Sequence, residues 1–140
     1  MPICVFCEIV AGTLPAFKIY EDELTVVFLD IHPNAPGHAL LIPKTHVARV
    51  EELKPEDSQA LFRALYRVLS PIREGVGADA TTIGINNGPG SGQEIPHVHI
   101  HIIPRRRGDG GYVIQALGPG SGQGNLDEVA KKIKQRIGVL

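Results

Sequence analysis

Short apolar stretches, separated by polar turns and by Gly- and Pro-rich segments, predict a set of β-strands. Glu21-Asp22-Glu23 is one such turn, and the apolar residues on either side of it predict a hairpin. The run from Ala39 to Ile42 ends at Pro43 and is typical of a short buried strand. The strands predicted in this way cover residues 17–20, 24–30, 39–42, 81–86 and 97–103.

Residues 55–74 follow the helical period instead and predict the longest helix. Pro55 suits a first helical turn. Pro71 lies inside the segment and is expected to kink the helix or to end it. The apolar stripe of this helix consists of Leu61, Leu65, Val68 and Ile72.

Two shorter helices are predicted near the ends of the chain. Residues 4–11 place Phe6 and Ile9 on one side of a short helix. Asn125 is the predicted N-cap of a final helix, because Glu128 follows three residues later at the capping-box position. Strands joined by hairpins, with helices between them, indicate an α+β fold with a mostly antiparallel sheet.

Composition excludes several classes of protein. The chain has 140 residues, which fits one domain, and its 43% hydrophobic and 21% charged residues are typical of a globular protein. A net charge of −1 lacks the basic excess that nucleic-acid binding requires. No apolar run approaches the roughly 20 residues of a membrane span, and the N-terminus has no signal-peptide pattern. The chain is therefore expected in the cytoplasm, without a membrane or nucleic-acid partner.

Cys4 and Cys7 are the only cysteines, which excludes a disulfide-dense secreted scaffold. Their spacing is that of one half of a zinc site and also that of a redox pair. No second CxxC is present, so further zinc ligands would have to be histidines. The redox interpretation lacks a surrounding thioredoxin-like βαβ pattern. Two unpaired buried thiols are the third possibility.

Three of the six histidines occupy alternate positions of one predicted strand. The alternation places His97, His99 and His101 on one face, with successive side chains about 6.6 Å apart. One metal held by all three is disfavoured, because the first and third lie about 13 Å apart along an extended strand. A solvent-facing polar strand is the other alternative. We therefore expect the three histidines to have different roles.

A glycine-rich segment, residues 86–94, directly precedes this strand. Glycine lets backbone N–H groups approach an anion closely, so such a loop can hold phosphate, although it is also a common flexible turn. A neutral imidazole is available as a nucleophile at neutral pH and can attack phosphorus to form a covalent intermediate. The loop and the histidines together predict phosphoryl or nucleotidyl transfer.

His97-Val98-His99-Ile100-His101-Ile102-Ile103 resembles the signature of the histidine triad (HIT) superfamily. Other motifs of that family follow in the same order, so the resemblance covers about residues 4–107. The chain is most similar to the histidine triad nucleotide-binding branch that carries a zinc-binding CxxC. These further motifs lie at residues 4–10, 28–33, 35–38, 42–46 and 92–93.

The resemblance implies a HIT-like fold, in which a five-stranded antiparallel sheet carries two main helices. Two subunits would form a homodimer with a continuous ten-stranded sheet, and the helix at 55–74 would lie at their interface. Residues 1–140 would form a single domain, with a catalytic core at about 4–107 and a tail at 108–140 that carries the final helix.

The resemblance also implies a mechanism. His99 would attack the α-phosphorus of a nucleotide and form a covalent nucleotidyl-histidine, which water then hydrolyses. His101 would contact the phosphate or the leaving group, and His97 and His38 would support the site. Gln93 would face the leaving group. The implied substrates are purine nucleoside 5′-monophosphate derivatives of the phosphoramidate type.

The remaining implied residues bind the nucleotide. Asp30 would hold the ribose hydroxyls, or alternatively cap a turn. Asn86 and the N–H of Gly92 would hold phosphate oxygens, although Asn86 is also a common turn residue. Phe28 either contacts the base or belongs to the core, and His32 is treated as an ordinary loop histidine. The implied walls of a shallow apolar purine pocket are Val5, Phe6, Ile9, Phe28 and Leu29.

The zinc-carrying branch of the family completes its CxxC with two histidines. Carried over to this sequence, the ligands are Cys4, Cys7, His46 and His97. A closed Cys₂His₂ set with no open position indicates structural rather than catalytic zinc.

Glu94 departs from the family pattern, because several members have a serine there that is thought to protonate the leaving group. A glutamic acid can do so only when burial keeps it protonated, and otherwise it repels an anionic substrate. The run Arg105-Arg106-Arg107 either attracts a polyphosphate or forms a solvated loop. The alternatives to a phosphoramidate hydrolase are therefore a dinucleoside polyphosphate hydrolase and a zinc-stabilised nucleotide-binding scaffold with little turnover.

Overall fold

Five antiparallel strands form one sheet in a computed structural model that describes residues 3–110 and 125–138. The strands are β1 (Lys18–Glu21), β2 (Thr25–Leu29), β3 (Ala39–Pro43), β4 (Ala80–Ile85) and β5 (Ile100–Arg105), in the spatial order β1-β2-β3-β5-β4. The helices are α1 (Val5–Ala11), α2 (Pro55–Gly75) and α3 (Leu126–Ile137). The predicted α+β class, five-stranded antiparallel sheet and two main helices are confirmed. No helix within the described residues is long and apolar enough to cross a membrane.

The sheet is covered on both faces. Every residue of β2 and β3 is buried, because the pleat sends successive side chains to opposite faces and both faces are packed. Val27 and Leu41 belong to the core that includes α2 and α3. Phe28 and Leu40 belong to a second, smaller cluster with α1. Two cores of different size therefore share the same strands.

α1 carries the predicted apolar residues on its buried side, where Phe6 and Ile9 pack against the sheet. The helix begins after Cys4, whose Sγ accepts a hydrogen bond from the Cys7 N–H at 3.4 Å. Gly12 ends the helix in a left-handed conformation. The two cysteines thus lie at the first turn of a helix that is fixed over the smaller core.

The helices begin and end close to the predicted residues, and Pro71 does not end α2. The Asn125 side chain accepts a hydrogen bond from the Glu128 N–H at 3.1 Å, which confirms the N-cap of α3. Pro71 lies inside α2. Because Pro71 is buried together with Val68 and Ile72, tertiary packing compensates for the one helical hydrogen bond that proline cannot donate.

β5 begins three residues later than predicted, at Ile100. The Val98 N–H donates to the Val47 carbonyl, which lies after β3 and outside the sheet. The residues just before β5 therefore pair with the segment after β3 instead of continuing the regular hydrogen-bond pattern of the sheet. His97 and His99 therefore lie in the segment that leads into β5, and His101 lies within the strand opposite Leu40.

Gly37 provides a test of how the loop between β2 and β3 is held. Its φ is +85°, and a Cβ there would lie 2.9 Å from Cγ1 of Val76 and 3.2 Å from Cγ of Pro104. We expect Gly37→Ala to lower the free energy of unfolding by about 3 kcal/mol, through backbone strain and overpacking together. Urea denaturation followed by circular dichroism measures this change.

Gly12→Ala is the matched control, since φ is +81° and no atom lies within 4 Å of the added Cβ. Strain alone predicts a loss of about 1 kcal/mol at this position. Equal losses in the two variants would mean that the close packing around Gly37 does not matter.

Candidate functional site

A pocket of about 780 Å³ opens on the α1 side of the sheet. Its walls come from α1, from the loop after β2 and from the segments around the Gly-rich loop. All eight residues predicted to bind a nucleotide line it, together with two of the four predicted catalytic residues. These ten are Phe6, Ile9, Phe28, Leu29, Asp30, His38, Asn86, Gly92, His99 and His101, and Val5, a predicted wall of the purine pocket, lines it as well.

The pocket also has lining residues that the sequence did not predict. His32, which was interpreted as an ordinary loop histidine, is one of them. The apolar run between α1 and β1 follows neither a helical nor a strand period, although its placement directly after α1 was a usable signal. The unpredicted lining residues are Leu14, Pro15, Ala16, Phe17, Ile31, His32, Asn34, Leu40 and Ile95. Glu94, whose effect on the leaving group or on an anionic substrate was considered from the sequence, also lines the pocket.

His99 is buried at the pocket wall and has a defined tautomer. Its Nδ1 lies 2.8 Å from the carbonyl oxygen of His97. A carbonyl can only accept, so Nδ1 carries the proton and donates it. In the neutral form of the ring, Nε2 is then the nitrogen with the free lone pair. The ring of Phe6 packs edge-on against His99, with centroids 5.1 Å apart, and limits its rotation.

A second hydrogen-bond chain fixes His101. The Asn34 N–H donates to Nδ1 of His38 at 3.1 Å, so Nε2 of His38 carries the proton. That N–H donates to Nδ1 of His101 at 3.0 Å, which leaves the proton of His101 on Nε2. Asp30 Oδ2 lies 3.6 Å from His38 Nε2, and Asp30 Oδ1 accepts from the His32 N–H.

Burial keeps these imidazoles uncharged at neutral pH. Desolvation lowers the pKa of His38, against the opposing effect of Asp30. Desolvation also lowers the pKa of His101 to about 4, and the neighbouring His38 and His99 lower it further. His101 therefore offers the pocket a neutral N–H donor rather than a stored acidic proton.

The four predicted metal ligands meet beside the pocket. The donor atoms of Cys4, Cys7, His46 and His97 all lie within 4.8 Å of one another. The His97 Nδ1 atom is 3.4 Å from Cys4 Sγ, 3.6 Å from Cys7 Sγ and 3.2 Å from His46 Nδ1. Zinc–ligand bonds of roughly 2.0–2.3 Å in a tetrahedron separate neighbouring ligand atoms by about 3.3–3.8 Å. The donor set therefore fits a four-coordinate zinc ion.

His97 is oriented for this role by the backbone. Its Nε2 donates to the Pro43 carbonyl at 2.8 Å, so Nδ1 carries the lone pair that faces the cysteines. Burial lowers the pKa of His97, which favours the neutral imidazole that metal binding needs.

The Cys7 thiol does not resemble a reactive redox cysteine. Burial raises the pKa of Cys7 to about 11, and the hydrogen bond and charge of Cys4 act in the same direction. Reactive cysteines have a lowered thiol pKa instead. A metal, by contrast, displaces the thiol proton when it binds. The geometry thus favours the metal interpretation of the CxxC.

The structure does not bring Gln93 or His97 to the pocket wall. The Gln93 Oε1 atom accepts from the Gly88 N–H, and its Nε2 donates to the Ala48 carbonyl, both at 2.8 Å. Both ends of the amide are therefore used to hold the Gly-rich loop. His97 is fully buried in the Cys₂His₂ cluster.

The run Arg105-Arg106-Arg107 does not reach the pocket either. Arg105 pairs with Asp109 at 2.8 Å, and the Arg106 guanidinium donates to the carbonyls of Val76 and Gly77. These contacts anchor the end of β5 and the residues after α2.

The described residues that line the pocket include no lysine and no arginine. Residues outside the described ranges carry no Lys, Arg, Asp or Glu side chain. The carboxylates on the wall are Asp30 and Glu94. A phosphate bound here would therefore be held by neutral N–H donors rather than by fixed positive charge.

Comparison with known proteins gives a consistent result. The HIT domain family matches residues 11–108. An uncharacterized HIT-like protein of Methanocaldococcus jannaschii is 42% identical over 132 residues, which cover 94% of this chain and 99% of that protein. An adenosine 5′-monophosphoramidase of Saccharomyces cerevisiae is 32% identical over 140 residues, covering 98% of this chain and 82% of the yeast protein. A Zn-bound histidine triad family protein from Mycobacterium smegmatis has a TM-score of 0.84 at 36% identity, covering 97% of this chain and 94% of its own.

Proposed function

Because the chain belongs to the HIT domain family, whose members include an enzyme named as an adenosine 5′-monophosphoramidase, we propose that it hydrolyses purine nucleoside 5′-monophosphate derivatives of the phosphoramidate type. The observation that carries this proposal is the orientation of His99. Its Nδ1 proton is held by the His97 carbonyl, and its ring lies at the wall of the pocket. That arrangement leaves Nε2 as a neutral nucleophile.

In the first step, the Nε2 lone pair of His99 forms a bond to the α-phosphorus while the bond from phosphorus to the leaving group breaks. The leaving amine takes its proton from water. The ring of His99 becomes positively charged, and the His97 carbonyl stabilises that charge through the Nδ1–H bond. A water molecule then attacks phosphorus and gives a proton to the hydroxide left by the first step, while the electron pair of the phosphorus–nitrogen bond returns to Nε2.

Neutral donors around the pocket hold the phosphate in this scheme. The Nε2–H of His101 and the N–H of Gly92 would bind its oxygens, with Asn86 beside them. His38 acts as a positioning residue, because its Nε2–H fixes which nitrogen of His101 carries the proton. Gln93 would act on the loop rather than on the substrate.

The nucleoside would occupy the remainder of the pocket. The purine would lie against the apolar wall of Val5, Phe6, Ile9 and Phe28, and Asp30 would bind the ribose hydroxyls. The Asp30 carboxylate is already held by the His32 N–H, so its position is set before the ribose binds. This preorganisation reduces the entropy lost on binding.

The dinucleoside polyphosphate alternative receives less support from the pocket. A polyphosphate leaving group carries several negative charges, and the described pocket wall offers no lysine or arginine to neutralise them. Binding of a nucleotide without turnover does not require a fixed tautomer of His99, so the binding-scaffold alternative leaves this hydrogen bond without an explanation. Both alternatives remain outcomes of the experiment below.

We further propose that Cys4, Cys7, His46 and His97 hold one structural zinc ion. The four donor atoms have tetrahedral spacing, and the relative from M. smegmatis is Zn-bound. When bound, zinc would link the first turn of α1 to the segment before β5. His97 would join this site to the nucleophile, because it supplies both a ligand atom and the carbonyl that orients His99.

A homodimer is the assembly that we propose. β4 lies at the edge of the sheet, so its outer backbone groups have no strand partner among the described residues. Large apolar side chains are exposed nearby, at Ile83 on this strand and at Phe62 and Tyr66 on α2. Pairing of two β4 strands would continue the sheet to ten strands and cover these side chains.

Release of AMP from adenosine 5′-phosphoramidate tests the proposed nucleophile. His99→Ala should lower kcat by roughly a thousandfold or more, because it removes the attacking nitrogen. AMP binding, measured by calorimetry, should persist in the variant. Diadenosine triphosphate, assayed in parallel, should be the poorer substrate of the wild type.

Equal release by the wild type and His99→Ala would rule out His99 as the nucleophile. Faster release from the dinucleotide would favour the polyphosphate alternative, and binding without any release would favour the scaffold.

Zinc content tests the metal proposal, and elemental analysis of the purified protein should give a single zinc ion per chain. Cys7→Ser and His46→Ala should each lower zinc affinity by more than the roughly 10- to 100-fold that follows loss of a hydrogen bond to a ligand. The control is His32→Asn, which changes an exposed histidine outside the cluster. Full zinc content in both ligand variants would contradict the assignment.

A further inference from the structure

Glu94 is an exposed carboxylate on the wall of the pocket. Among the described residues, no hydrogen bond or ion pair engages its side chain. Asp30, the other carboxylate of the wall, is held by the His32 N–H and lies close to His38. Glu94 is therefore the carboxylate of this pocket whose charge is free to interact with a bound molecule.

The position of Glu94 in the chain places it near the phosphate rather than the ribose. It lies between Gly92 and His99, to which the proposed function assigns the phosphate, whereas Asp30 belongs to the loop after β2. A leaving group bonded to that phosphorus would lie in the same pocket as Glu94. The charge of a leaving group is thus exposed to the charge of Glu94.

The surroundings do not cancel that charge. Neither lysine nor arginine lines the described pocket, and burial keeps His38 and His101 neutral by lowering the pKa of each. Glu94 is also exposed rather than buried. An electrostatic effect on the substrate remains as the role that fits its position.

We propose that Glu94 selects the leaving group, favouring amines that carry a second, positively charged group and disfavouring anionic ones. This inference rests on the proposed hydrolysis of nucleoside phosphoramidates. Glu94 takes no part in bond making or proton transfer. It attracts a cationic leaving group into the mouth of the pocket and repels an anionic one, so its effect falls mainly on KM.

Three adenosine 5′-phosphoramidates with the same phosphorus–nitrogen bond test the proposal. Their amine substituents are short alkyl chains of equal length that end in an ammonium, a methyl or a carboxylate group. The wild type should prefer the ammonium compound over the carboxylate compound by on the order of tenfold in kcat/KM, as expected for an exposed charge pair. The preference should shrink as salt is added.

Glu94→Gln should abolish most of this preference, measured as the ratio of kcat/KM for the ammonium and carboxylate compounds. Glu94→Lys should reverse the preference. The matched control is Glu23→Gln, which removes the same charge from the exposed β1–β2 turn outside the pocket wall and should keep the wild-type order.

The outcomes separate this inference from the function on which it rests. If the wild type hydrolyses all three compounds equally, or if Glu94→Gln keeps the wild-type order, the leaving-group role of Glu94 is wrong and the hydrolase stands. If the wild type releases no AMP even from the methyl compound, the proposed function itself fails.

Discussion

The hydrogen bond from Nδ1 of His99 to the carbonyl oxygen of His97, at 2.8 Å, is the constraint on which the site depends. It selects the tautomer that has its lone pair on Nε2, and it offers a partner for the positive charge that would develop when Nε2 attacks. The carbonyl can do this only if His97 is itself fixed. The Pro43 carbonyl and the two cysteines hold the His97 ring on both sides. The proposed zinc site and the proposed nucleophile thus share one residue.

The site relies on directed hydrogen bonds because it has little fixed positive charge to use. His38 and His101 are neutral, since burial lowers the pKa of each. Each neutral imidazole has one donor and one acceptor, so a chain that starts at the Asn34 N–H determines the proton position on both rings. In the proposed reaction, such a chain would orient the phosphate through neutral donors. Glu94 would then be the group on the pocket wall that responds to the charge of the leaving group.

Much of this arrangement could be predicted from the sequence, because its signals are local. Alternating histidines, a CxxC and a glycine-rich loop each mark a short segment. Sequence reasoning was less successful where tertiary contacts determine the direction of a side chain or the start of a strand. The Gln93 side chain hydrogen-bonds to the backbone of Gly88 and Ala48 rather than facing the pocket. β5 begins after the predicted residue because Val98 pairs with Val47. For residues 14–17 the only local signal was their placement directly after α1, because the pocket wall is assembled from segments that are far apart in the chain.

The most direct test of the account is the tautomer of His99 in the resting protein at neutral pH. Nitrogen-15 NMR of the histidine rings, with the signals of His99 assigned by comparison with His99→Asn, reports which ring nitrogen carries the proton. We expect a protonated Nδ1, because the His97 carbonyl can only accept, and an unprotonated Nε2, which the proposed nucleophile requires. A proton on Nε2, in a neutral or a charged ring, would contradict it, since that nitrogen would then have no lone pair for attack on phosphorus.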